Sequence, residues 1–266
     1  MRSKASAIVR IVLRKQVGLS VHFAVYPLIQ QVISVRGQMA IDANLIDSGE
    51  LEIIGRLVDA SNASLLCKLS DESKVIYKPI AGERPLWDFP DGNLASREVA
   101  AFYLSEVGRF NVVPKTVLRD GPFGIGAVQA WIEVDEEADV IEKAQSHDSQ
   151  IRNLALFDIV INNADRKFGH ILITPEQKIF GCDHGVSFHH EGKLRTVIWQ
   201  FTEMKLTTSE ITQLSELLKN IDRSYLAALL IKVEIDALFK RIENLLAEGC
   251  FASPSPDWPA VPWPPY

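Results

Sequence analysis

Cysteine is scarce in this 266-residue chain: Cys67, Cys182 and Cys250 are an odd number, far apart, with no C-x-x-C pair. That usage argues against a disulfide framework and a thiolate zinc site, and predicts a reducing, cytoplasmic setting. Long hydrophobic runs are missing too. The most apolar stretch, Val17–Val35, is interrupted by His22, Pro27, Gln30 and Gln31, which makes a poor transmembrane helix, and no clear small-residue cleavage site accompanies it. Acidic residues are absent from residues 1–41, which carry six basic ones: Arg2, Lys4, Arg10, Arg14, Lys15 and Arg36. The remaining 225 residues hold 22 basic and 34 acidic groups, a balance of −12 beneath the −6 of the whole chain. A body of that sign is a poor general nucleic-acid binder, because neutralising phosphates takes a basic surface. No internal repeat occurs.

What is present fits a soluble globular protein: 47% of residues are hydrophobic and 23% charged, and the length allows one large domain or two modest lobes. Composition divides the chain into a basic leader (1–41), a β-rich part (42–132), a mostly helical part (133–251) and a Pro/Trp-rich tail (252–266). Two readings of the leader stand. It is an unstructured leader or upstream extension of a chain starting at Met39, or residues 1–38 make peripheral contact with an anionic membrane surface. The tail reads as an extended segment that packs on the body or waits for a partner.

In the β-rich part, Leu51–Asp59, Ser64–Leu69 and Lys74–Lys78 are short apolar or alternating runs between turn residues, which predicts three strands. A loop rich in Gly and Pro follows, then Leu94–Val107 with Val99, Phe102, Tyr103 and Val107 at helical spacing. Val112–Leu118 and Gly124–Ile132 predict two more strands around Asp120-Gly121-Pro122. Further on, the pattern predicts a helix over Ser149–Asn162, a hairpin over His170–Cys182, a capped helix from Thr207 to about Asn220, and a helix over Val233–Glu248 stopped by Gly249. A cleft between two such lobes is the default ligand site.

The chemistry concentrates where four of the six histidines fall, within residues 170–190. Asp165, in Asn162-Asn163-Ala164-Asp165-Arg166-Lys167, and Asp183, in Cys182-Asp183-His184-Gly185, flank the predicted hairpin. Phosphoryl transfer from a nucleotide needs one carboxylate to orient the attacking hydroxyl and another to hold a divalent ion on the phosphates. Lys167 adds a cation for the transferred group, and Gly185 lets the backbone turn sharply. Upstream, Lys78 ends an apolar strand and Glu98 lies on the predicted helix twenty residues on. Singly, each has an ordinary reading as a surface or turn residue. In the order strand lysine, helix glutamate, Asp165, Asp183, they read as a nucleotide site.

These motifs resemble the phosphatidylinositol 3-/4-kinase-like branch of the protein-kinase-like superfamily, and most closely bacterial relatives of type II phosphatidylinositol 4-kinases. The stretches that carry the resemblance are Tyr77-Lys78-Pro79, Arg97-Glu98-Val99-Ala100-Ala101, Asn163-Ala164-Asp165-Arg166 and Asp183-His184-Gly185-Val186-Ser187-Phe188. Lys193–Trp199 stands where that family has its activation segment, and Gly82–Pro90 is similar to a stretch of an uncharacterised bacterial subgroup. The resemblance implies an α+β, two-lobed kinase-like fold and an ATP-dependent phosphotransferase using Mg²⁺. It implies that Lys78 binds nucleotide phosphates, Glu98 orients it, Asp165, Arg166 and Lys167 form the catalytic loop, and Asp183 holds the metal. It further implies that Gln129 and Trp131 contact adenine.

The sequence departs from that pattern twice. No glycine-rich loop occupies the first hairpin, which leaves Ser61 and Asn62 as candidates for the phosphates. His170 stands where a metal-binding asparagine is expected, which favours a softer ion such as Mn²⁺, a substitute oxygen, weak activity or a structural histidine. His189, His190, Lys193 and Arg195 read either as a site for an acidic head group or as a solvated loop. The acceptor is open among lipid, protein and small molecule. Two other functions remain: a metal-dependent hydrolase built on Asp165, His170, Asp183, His184 and His189, and a non-catalytic nucleotide-binding protein.

Overall fold

Val75 and Tyr77 in β3 (Lys74–Pro79) point to one side of a sheet and Ile76 and Lys78 to the other, and this alternation sets the site. The computed structural model describes residues 43–57 and 62–266; the leader, including Val17–Val35, and Ser61 lie outside them. Strands β1 (Glu52–Arg56), β2 (Leu65–Lys68), β3, β4 (Thr116–Gly121) and β5 (Gly124–Ala130) form an antiparallel sheet in the order β1-β2-β3-β5-β4. Val75, Tyr77, Cys67 and Val128 bury one face with Ile46 of a short helix, α1 (Ala43–Ser48). Lys78 pairs with Ala127 and Ile76 with Gln129, which places Lys78, Ala127 and Gln129 on the opposite face.

Helix α2 (Leu94–Val107) covers that second face. Asn93 caps it through its side-chain oxygen, and the carboxylate of Glu83 accepts the Leu94 and Ala95 N–H groups at 2.9 and 2.8 Å. The predicted stripe of Val99, Phe102, Tyr103 and Val107 is only partly inward. The buried face is built of small residues, Ala95 and Val99 against Ala127 and Ala100, Ala101 and Leu104 against the helical lobe. Arg97 and Glu98 are buried with them, so neither lies on a solvated face.

The helical lobe contains α3 (Val140–Ala144), α4 (Ser149–Ile161), the hairpin β6 (Ile171–Ile173) and β7 (Ile179–Gly181), α5 (Thr208–Asn220), α6 (Arg223–Ala227) and α7 (Lys232–Glu248). The Thr207/Glu210 capping box and the Gly249 stop are as predicted. The fourth strand is not: it starts at Thr116 rather than Val112, because Pro114 has no N–H for a ladder and Val112 and Val113 bury in the helical core instead. Helices α1, α3 and α6 were not anticipated. The tail packs on the body: Ala260 accepts the Thr196 N–H, Pro265 accepts the Phe168 N–H, and Tyr266 lies against Phe168 with ring centroids 5.4 Å apart. Among the described residues no helix is long and apolar enough to cross a membrane.

Candidate functional site

Three parts of the chain meet at one ammonium group. Lys78 Nζ, from β3, makes a short ion pair with Glu98 Oε1 on α2, and lies 2.9 Å from Asp183 Oδ1 beyond the hairpin. The other Glu98 oxygen accepts the His184 backbone N–H at 3.0 Å, so one buried carboxylate ties strand, helix and loop together. Burial disfavours charge on Lys78, but Asp183 and Glu98 more than offset this and raise its pKa. Lys78 in turn is the main reason the Asp183 carboxyl is held far below the usual range. Asp183 remains half exposed, at 52% of its side chain, and takes the sharp turn itself with φ 58°. Gly185, expected to make that turn, instead gives room: a Cβ there would stand 2.9 Å from Leu94 Cβ.

Helix α4 ends at Asn162 in the left-handed conformation, and its last turn carries Asp158 into the core. Asp158 accepts from Arg166 Nη2 at 2.8 Å and from Asn163 Nδ2 at 2.9 Å, while Asn163 Oδ1 accepts the Asp165 N–H at 3.0 Å. Asp165 is thus aimed by its neighbours. Its carboxyl is raised by burial, an effect countered by His170 and by Lys167, whose Nζ is 3.2 Å away.

Arg166, expected as part of the catalytic apparatus, is fully buried and occupied. Besides Asp158, it donates to the carbonyls of His170 (3.1 Å) and Cys182 (3.0 Å) and to His184 Nε2 (2.8 Å). It is a clamp joining the Asp165 loop to the Asp183 turn. Gly181 admits it, since a Cβ there would meet the guanidinium at 2.8 Å.

His170 Nδ1 lies 2.8 Å from the Asp165 carbonyl oxygen, which can only accept, so Nδ1 carries a proton and, in the neutral ring, Nε2 presents a lone pair. Burial lowers the pKa of the ring. Nε2 faces Asp183 Oδ2 at 3.4 Å, two electron-pair donors side by side. This is the donor set a divalent cation bridges, with the second ring nitrogen fixed by a carbonyl in the manner of metal-binding histidines. Among the described residues no group of three or more His, Cys, Asp or Glu surrounds a point, so further ligands would come from phosphate and water. The five-residue hydrolase cluster is not assembled. His184 Nε2 is taken by Arg166, and His189 is buried between Phe89 and His190 with Nδ1 accepting the Glu191 N–H.

The remaining candidates divide. Gln129 is on the Lys78 face, its amide donating to Thr116 Oγ1 at 2.8 Å. Trp131 follows β5 where the lobes join, half buried, with an indole N–H that has no partner. Asn62 Oδ1 accepts the Arg84 N–H, which ties the first hairpin to the following loop. Lys193 is buried on Asp88 and does not form an open basic patch, while Arg195 is partly exposed. Asp158, Asp88 and the buried pair Arg97–Glu234 (2.7 Å) were missed. Only Asp158 left a signal, as a lone acid inside the apolar run Leu154–Ile161.

No family model matches the sequence. Protein Rv2133c of Mycobacterium tuberculosis (strain ATCC 25618 / H37Rv) is 35% identical over 261 residues, covering 83% of this chain and 94% of that protein. Among solved structures, the Golgi casein kinase matches with TM-score 0.50 and 12% identity over 77% of this chain and 72% of that one. The same kinase with Mn/ADP bound matches with TM-score 0.51 and 12% identity over 77% and 74%. At such identities the likeness is one of fold, and the fold is two-lobed and protein-kinase-like.

Proposed function

This chain belongs to the family of Mycobacterium tuberculosis Protein Rv2133c, and we propose that it is an ATP-dependent phosphotransferase that moves the γ-phosphoryl group to a hydroxyl. The observation that carries the reading is Lys78, held by Glu98 and paired with Asp183 at 2.9 Å. A lysine so placed binds nucleotide phosphates once they enter, and Asp183 is then free for the metal. Asp183 and His170 would hold a divalent ion, Mg²⁺ or Mn²⁺, which would neutralise charge on the phosphates.

The chain's own groups do the rest. Asp165, positioned by Asn163 and with its carboxyl raised by burial, orients the acceptor hydroxyl and takes its proton. Lys167, beside it, neutralises charge on the transferred group. Gln129, on the Lys78 face of β5, and Trp131, just after the strand, receive the adenine. Arg166 binds no substrate; it holds the two loops at fixed separation. The resemblance to phosphatidylinositol 3-/4-kinases supports the reaction type, with a lipid, protein or small-molecule hydroxyl as acceptor.

A second reading, a nucleotide-binding protein without turnover, is favoured by His170 in place of the expected asparagine. An unbiased ³²P-transfer screen over lipids, proteins and metabolites, with Mg²⁺ and with Mn²⁺, separates the two. Labelled acceptor that disappears with Asp165→Asn supports transfer; ATP binding with no labelled product under either metal supports the second reading.

A further inference from the structure

Residues 193–197 run beside the catalytic loop. The Lys193 N–H donates to Asn162 Oδ1 at 3.0 Å, the Arg195 N–H to the Asn163 carbonyl at 2.9 Å, and the Arg166 N–H to the Arg195 carbonyl at 3.1 Å. These bonds lay the segment against Asn162, Asn163 and Arg166, the residues that flank Asp165. Lys193 is 3% exposed, in a box of three rings: Trp258 of the tail at 4.6 Å, Trp87 at 5.6 Å and Phe89 at 5.8 Å from Nζ to ring centre. Its Nζ is 3.4 Å from Asp88 Oδ2 and 3.9 Å from Glu191, and Arg195 Nη2 is 3.8 Å from that same Asp88 oxygen. Charge-assisted hydrogen bonds are about 2.7–2.9 Å long, so both contacts to Asp88 are loose. Arg195 Nε is buried with no partner at all. Two cations share one oxygen and keep donors unfilled, which is costly unless another anion arrives.

We propose that Lys193 and Arg195 form a subsite for a carboxylate side chain of a polypeptide acceptor, and that Asp88 fills it from within the chain when no acceptor is bound. The inference rests on the phosphotransferase reading and names the acceptor class for that site. The occupant is argued from Asp88 itself: the group now in place is an aspartate carboxylate presented by a polypeptide turn and flanked by aromatic rings. An incoming acidic residue displaces it and pairs with Arg195 through the free donors, while its neighbouring hydroxyl residue reaches Asp165. Asp88 is thereby a competitor built into the lobe that also carries Lys78.

The test uses the full chain with Mn²⁺, [γ-³²P]ATP and pooled Ser/Thr/Tyr peptides in which Asp or Asn is fixed at successive positions around the acceptor. One charge-assisted contact should favour the Asp pool about tenfold over the Asn pool at a single offset. Arg195→Gln should bring that ratio close to one, and Asp88→Asn should lower KM for the Asp pool about threefold, as loss of a weak competitor would. Equal labelling of the two pools, a ratio untouched by Arg195→Gln, or label on phosphoinositide vesicles and not on peptides overturns the inference. Thermal shift of the wild-type chain keeps the underlying reading separate. If ATP with Mn²⁺ stabilises the chain while the pools are labelled equally, only the acceptor assignment fails; if it does not, the nucleotide site fails as well.

Discussion

His170 Nε2 stands 3.4 Å from Asp183 Oδ2 while the other nitrogen of the same ring is 2.8 Å from the Asp165 carbonyl. A single imidazole thus joins the Asp183 turn to the backbone of Asp165. Imidazole suits Mn²⁺ better than Mg²⁺. ATP should therefore stabilise the chain more with Mn²⁺ than with Mg²⁺ in thermal-shift titrations, and His170→Asn should narrow the gap. An equal response in wild type and variant would remove His170 from the metal site.

Lys78→Met should do two separable things. It removes the cation proposed to bind the phosphates, and it leaves Glu98, 2% exposed, as a buried charge without its partner. Breaking a buried pair in this way costs about 3–5 kcal/mol. Adding Glu98→Gln should return much of that stability, because the amide oxygen still accepts the His184 N–H, and should return none of the ATP affinity. Urea denaturation and calorimetric ATP titration of the single and double variants check the two effects. Equal instability of both would mean that the ion pair is not what Lys78 contributes to the fold.

Arg166→Lys should be severely destabilising although the charge is kept. A lysine cannot reproduce the paired contacts to Asp158 while also reaching His184 and two carbonyls. A loss of about 3–5 kcal/mol in denaturant unfolding is expected, and a loss under 1 kcal/mol would return Arg166 to the surface role that a catalytic assignment requires.

Lys78, Glu98, Asp165 and Asp183 were legible because each is a charged residue set in an apolar or turn pattern that does not call for it, and because their order matches one chemistry. Their partners were not legible. Arg97 meets Glu234 across 137 positions and Lys193 meets Asp88 across 105, and no local periodicity records such contacts. Helix α2 shows the same limit. Its large residues suggested the inward stripe, but close approach to the sheet demanded alanines, and only that approach brings Glu98 to Lys78. The place of Arg166 beside Asp165 suggests a catalytic role, whereas its side chain is fully buried against Asp158.

Acid should weaken the fold in a defined direction. Burial, with Lys193 and His190 nearby, lowers the pKa of His189, whose Nδ1 must stay unprotonated to accept the Glu191 N–H. In the unfolded chain a histidine binds its proton near pH 6.5. The unfolded state therefore takes up protons first, so stability rises with pH through this window and falls below it. His184 acts in the same direction through burial and Arg166. The unfolding free energy should drop between pH 7 and pH 5, by up to about 2 kcal/mol for each histidine kept neutral at pH 5, and Tm should fall with it. His189→Gln should flatten the profile, and an unchanged slope would contradict the assignment.

The central claim is that Asp165 and Asp183 perform phosphoryl transfer with nucleotide held at Lys78. ³¹P NMR of ATP with Mg²⁺ and an acceptor extract, followed over time with wild type, Asp165→Asn and Asp183→Asn, tests it most directly. The account predicts loss of the γ-phosphate signal with wild type, no loss with Asp165→Asn although ATP still raises its Tm, and neither loss nor stabilisation with Asp183→Asn. Consumption of ATP by either variant at the wild-type rate would contradict it.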